Sequence, residues 1–151
     1  RLEVVQLLIE RGADVNAQDA IEDSAFLLAG ARGHTEIVRM ALKAGADFKR
    51  VNRYGGTGLI PACHYGHVET VRVLVTSGID LNHVNRLGWT ALLEAVILGD
   101  GSPRYQQIVQ LLLSHGADAN RADGQGVTPL AHALRRGQAE VARLLRESGA
   151  R

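Results

Sequence analysis

Five glycines constrain this chain more than any other feature. Gly12, Gly45, Gly78, Gly116 and Gly149 each open a Gly-Ala-Asp-like turn, and their successive spacings are 33, 33, 38 and 33 residues. Seven residues beyond each of the first four stands an Asp or Asn: Asp19, Asn52, Asn85 and Asp123. A period of this length requires a row of like units. None of them can bury an apolar face alone, so each must stack on its neighbours.

The residues inside each period predict two short helices. Thr128-Pro129-Leu130 reads as a helix start, with Thr capping the free amides and Pro at a position whose N–H has no partner to lose. Thr90-Ala91-Leu92, Thr57-Gly58-Leu59 and Ser24-Ala25-Phe26 are weaker versions of the same signal. The first helix should end at Gly33, Gly66, Gly99 or Gly137, where a left-handed turn is least costly. A second helix then carries an apolar stripe, clearest in Val4–Ile9 and Ile108–Leu113, before the next Gly-Ala-Asp-like turn closes it.

These motifs resemble the ankyrin-repeat family, whose Thr-Pro-Leu-His and Gly-His signatures appear here as Thr128-Pro129-Leu130, Gly33-His34 and Gly66-His67. Asp100 and Gln138 stand in for the His elsewhere. The resemblance covers the whole chain and implies an all-α solenoid of helix-turn-helix units joined by short hairpins. It divides the chain into a partial repeat over 1–18 and repeats over 19–51, 52–84, 85–122 and 123–151. Arg1 falls at the start of a helical pattern with no cap before it, which predicts a missing N-terminal portion and bare apolar surface on the first helix. Arg143, Arg146 and Glu147 predict a polar cap at the other end. Residues 52–63 and 85–101 are also similar to a group of small bacterial ankyrin-repeat proteins with no assigned biochemical activity.

Three departures from the pattern stand out. The 38-residue spacing places five extra residues in Asp100–Gln106, which predicts an inserted surface loop carrying Arg104 and Tyr105. Pro61, four residues after Thr57, removes the first intrahelical hydrogen bond and should distort that helix start. Glu22-Asp23 occupies the place where the family keeps Gly, which predicts an irregular first hairpin.

The resemblance implies that hairpin tips and the exposed ends of the first helices form one concave binding surface. Mapped onto this chain, it holds Arg32, Arg53, Tyr54, His64, Tyr65, Arg86, Leu87, Trp89, Ile97, Leu98, Arg135 and Arg136. The only Trp and two of the three Tyr fall there, and Tyr, Trp and Arg dominate binding hot spots. Five arginines against Asp23 give this face +4 in a chain of net charge +1. These features predict a protein partner with an acidic contact surface.

Catalytic chemistry finds no support in the residues. His64 and His67 straddle Gly66 in different helices, a poor start for a metal site. Gly55-Gly56-Thr57-Gly58 lacks the Lys and the preceding strand of a phosphate loop. Cys63 has no oriented base, His132 has no nearby carboxylate in sequence, and Asp14, Asp47, Asp80 and Asp118 read as turn caps. The expectation is a non-catalytic protein-binding module without cofactors, and a monomer. A recruitment arm of a larger enzyme or effector is the alternative reading. The low net charge argues against nucleic acid. No apolar run approaches the ~20 residues of a membrane span, and the single Cys fits a cytoplasmic setting.

Overall fold

The computed structural model describes residues 1–151 and contains nine α-helices and no strand. α1 (Leu2–Glu10) is followed by four pairs: α2 (Ala25–Arg32) with α3 (Thr35–Lys43), α4 (Leu59–His64) with α5 (Val68–Leu74), α6 (Ala91–Leu98) with α7 (Pro103–Ser114), and α8 (Pro129–Arg135) with α9 (Ala139–Glu147). The even-numbered helices pack on one another as an inner layer, and the odd-numbered ones as an outer layer. The core runs between the layers and repeats with the sequence. Phe26, Leu59, Leu92 and Leu130 occupy equivalent inner positions; Ala41, Leu74, Leu112 and Leu145 occupy outer ones, and all eight are buried. Each buried Leu or Phe contributes about 1.5–3 kcal/mol. On α1, by contrast, no residue is buried, and Leu2, Val4, Leu7 and Leu8 are exposed.

The Asp/Asn series explains the hairpins. Oδ1 of Asp19, Asn52, Asn85 and Asp123 each accepts the backbone amides two and four residues on, fixing the tip as an Asx turn. The first hairpin is regular, contrary to expectation: Asp19 N donates to Asp23 O at 2.9 Å and Glu22 N to Asp19 O at 3.0 Å, as in the other three. Its departure is confined to Glu22, held at φ +63° where the other hairpins have glycine. That costs about 1–2 kcal/mol. Asp14, Asp47, Asp80 and Asp118 cap their turns locally, each accepting the amide two residues on.

The helix starts follow the capping signals with one exception. Ser24, Thr90 and Thr128 cap the amides of Leu27, Leu93 and Ala131. Thr57 does not cap: α4 starts later, from Gly58, and the Thr57 hydroxyl is buried without a partner. Pro61 is the cause. Leu28, Glu94 and His132 each donate a backbone N–H to the capping residue's carbonyl; Pro61 holds the same position and has no N–H to give.

Most of the five extra residues lengthen the outer helix: Pro103 begins α7 after the N-cap Ser102, and Gly99–Ser102 links α6 to α7. Arg104 and Tyr105 are therefore helical, and Tyr105 is buried at 7% exposure. Gly99 does not turn left-handed as expected. It is extended (φ −77°, ψ 168°), and Gly101 (φ +73°) takes the turn instead. A Cβ on Gly99 would lie 2.2 Å from Ala95 O and 2.5 Å from the Tyr105 ring, so this position demands glycine. Tyr105 has a structural task there. At the junction before it, His67 Nε2 donates to Ala31 O at 3.0 Å; at the junction after it, Gln138 Nε2 donates to Val96 O at 3.0 Å. Between them the Tyr105 hydroxyl donates to His64 O at 2.7 Å, in place of the His that Asp100 displaces.

Candidate functional site

The hairpin tips and inner helices enclose one open groove of about 1000 Å³. Hairpins 19–23, 52–56 and 85–89 form one wall, with Ile21, Arg53, Tyr54 and Leu87. The inner helices supply Leu28 and Arg32 from α2, Ile60, Pro61 and His64 from α4, and Glu94 and Leu98 from α6; Tyr65, just beyond α4, completes that side. The groove collects exposed apolar surface. Ile21, Leu28, Tyr54, Tyr65, Leu87 and Leu98 are all exposed, Leu87 at 64% and Tyr54 at 60%. Off α1, the only other exposed large apolar side chain is Leu134. Contiguous apolar patches of this kind mark interaction surfaces rather than scattered surface residues.

The residues expected on the concave face divide in two. Arg32, Arg53, Tyr54, His64, Tyr65, Leu87 and Leu98 line the groove. Arg86, Trp89, Ile97, Arg135 and Arg136 do not. Ile97 is buried on α6. Trp89 is half-buried, and its backbone closes the third hairpin on Asn85. Arg86 straps hairpins together: its amide donates to Tyr54 O at 3.0 Å and its guanidinium to Arg53 O. Arg135 and Arg136 are exposed at the end of α8, beyond the three hairpins that build the groove. Arg104 lies over the Tyr105 ring at 5.3 Å and close against Gly66, between units rather than in the groove.

The electrostatics of the groove differ from the face as a whole. Arg53 lies over the Tyr54 ring at 4.7 Å and pairs with Asp23 at 3.4 Å, so much of its charge is answered within the wall. The lining holds two arginines and three carboxylates: Arg32 and Arg53 against Asp19, Asp23 and Glu94. The positive excess of the face therefore lies outside the lining, at Arg86, Arg135 and Arg136.

Glu94 is the feature that the sequence concealed. It sits inside the apolar run Ala91–Leu98 and is only 6% exposed, yet it lines the groove. Burial pushes its carboxyl up to about 7, against the opposing effect of the Asn85 amide, which donates to Oε2 at 3.4 Å. His64 Nδ1 stands 3.7 Å from Oε1, and burial holds that imidazole below its ordinary value. The His64 ring stacks on Tyr65 with centroids 4.1 Å apart. Cys63, behind them, is wholly buried; burial first, and then the charge of Glu94, push its thiol up, so it remains protonated. His132 has no carboxylate near it in sequence. The fold supplies one: His132 Nε2 donates to Asp123 Oδ2 at 2.8 Å. No group of three or more His, Cys, Asp or Glu converges as a metal site would require.

A two-layer stack of helix pairs, bound by Asx hairpins and presenting a groove between tips and inner helices, defines a repeat scaffold of the interaction type. The family model for ankyrin repeats (three copies) matches residues 1–85 and 77–151, and the chain belongs to that family. Among curated proteins, the ankyrin repeat protein YahD of Escherichia coli (strain K12) is 51% identical over 57 residues, a match spanning 38% of this chain and 28% of YahD. An ankyrin repeat domain from Acinetobacter baumannii AYE superposes with a TM-score of 0.98 at 59% identity, covering 99% of this chain and 76% of that one. The ankyrin repeat protein EF0377 gives 0.93 at 43% identity, covering 97% and 74%. Proteins of this family are generally non-catalytic interaction modules. No helix here is long and apolar enough to cross a membrane.

Proposed function

We propose that this chain binds a partner protein through the groove, acting as a monomeric, non-catalytic module in the cytoplasm. One observation carries the reading: six exposed Leu, Ile and Tyr side chains, two from each of three units, gather in a single groove. Large aromatic and aliphatic anchors that can be fully desolvated supply most of the energy in such contacts. Tyr54, Tyr65 and Leu87 are the anchors, with Arg32, Arg53, His64 and Leu98 around them. The arginines outside the lining, Arg86, Arg135 and Arg136, favour a partner whose flanking surface is acidic, and binding should weaken as salt rises.

A photo-crosslinking residue replacing Leu87 tests the site. It should capture a partner that the same residue at the exposed Arg72 of outer helix α5 does not, and Tyr54→Ala with Tyr65→Ala should abolish the capture. Equal capture from both positions would place the interaction elsewhere.

A further inference from the structure

Glu94 is the only carboxylate on any of the four inner helices. Its side chain is 8% exposed and faces the groove, and its one hydrogen bond is the long contact from Asn85. Oε1 accepts none: His64 Nδ1 at 3.7 Å is beyond hydrogen-bond reach. A buried carboxylate has about four acceptor sites and ordinarily fills them with donors or a cation. No Arg or Lys of this chain pairs with it, and Arg53 on the groove wall is held by Asp23.

We infer that Glu94 is the receptor for a basic side chain, lysine or arginine, carried by the polypeptide that occupies the groove; this rests on the groove being the interaction surface. The surroundings suit such a guest. Leu98 lies one turn beyond Glu94 on the same helix face, and Leu87 stands on the adjacent hairpin, both exposed. They offer apolar surface to the long stem of Lys or Arg, whose head then reaches the carboxylate. The stacked His64–Tyr65 pair adds an aromatic face beside it, which attracts a cation. His64 Nδ1, at 3.7 Å, leaves Oε1 free for the incoming donor, and burial holds that imidazole below its ordinary value. The bound segment is thus bipolar: one basic side chain inserted at the floor, and acidic residues outside it toward Arg86, Arg135 and Arg136.

The test uses two blocked tripeptides, acetyl-Leu-Arg-Leu-amide and its citrulline counterpart, which is nearly isosteric and uncharged. Each is titrated into the ¹⁵N-labelled chain to millimolar concentration. The expected result is shifts in the amides of residues 60–65 and 85–98 with both, and at least a fivefold lower Kd for the arginine peptide. Glu94→Gln should erase the preference, bringing the two Kd values together. Equal Kd values, or a preference that survives Glu94→Gln, overturn the cation site and leave the groove reading standing. Shifts outside the groove, or none with either peptide, overturn both.

Discussion

The third and fourth units make different use of the same pair of positions. In the fourth, hairpin residue Asp123 and inner-helix residue His132 close on each other at 2.8 Å. In the third, the equivalents are Asn85 and Glu94, and their contact is 3.4 Å. The fourth pair is mutually satisfied: Asp123 is held below the usual carboxylate range by the Val127 amide and then by His132. The third leaves a carboxylate buried with one weak donor, and its proton affinity rises accordingly. The second unit, with Pro61 at that position, leaves the Thr57 hydroxyl unpartnered as well. Framework rules are kept in the unit outside the groove and broken in two of the three that form it. Proteins commonly accept such local costs where a surface must do something other than fold.

Breaking the closed pair should give the largest effect. His132→Ala leaves Asp123 without its side-chain donor and should lower Tm by roughly 5–8 °C, read by calorimetry. Relaxing the open pair should act in the opposite sense. Glu94→Gln removes a buried charge and should raise Tm by roughly 3–6 °C at pH 8. The sign follows from linkage: a carboxyl raised from 4.5 to about 7 on folding favours the folded state fully below pH 4.5, and that contribution is lost as pH rises through 7. The gain from Glu94→Gln should therefore shrink toward zero between pH 8 and pH 5. His64 faces Glu94 at 3.7 Å, so the comparison is read at pH 8, above the ordinary imidazole range, and followed downward from there. The smallest effect concerns the second unit. Thr57→Val removes an unsatisfied hydroxyl and should raise Tm by roughly 2–3 °C, whereas Thr90→Val, which removes a working cap, should lower it by a similar amount.

Much of the fold was legible because it is local and periodic. The Asp/Asn turns, the Ser24, Thr90 and Thr128 caps, and the distortion at Pro61 all depend on residues within four positions of one another. Tyr54, Tyr65 and Leu87 could be placed on the groove because each occupies a repeat position of known outward aspect. What failed depends on contacts between units. Five extra residues are equally compatible with a loop or a longer helix. The deciding signal was Ser102-Pro103, a helix start of the kind read at Thr128-Pro129. Trp89 and Arg86 share a hairpin with Leu87, but Arg86 reaches back to the neighbouring hairpin and Trp89 is half-buried outside the groove lining. Glu94 was hidden in an apolar run, and His132 meets Asp123 only after the hairpin folds back over nine residues.

The claim that the groove keeps an uncompensated carboxylate for an incoming cation can be tested most directly by titrating the Glu94 side-chain carbonyl carbon by NMR. In the free protein its midpoint should lie near 7, and saturating acetyl-Leu-Arg-Leu-amide should move it downward while the citrulline peptide leaves it in place. A midpoint near the ordinary 4.5 in the free protein, or one indifferent to the arginine peptide, would contradict it.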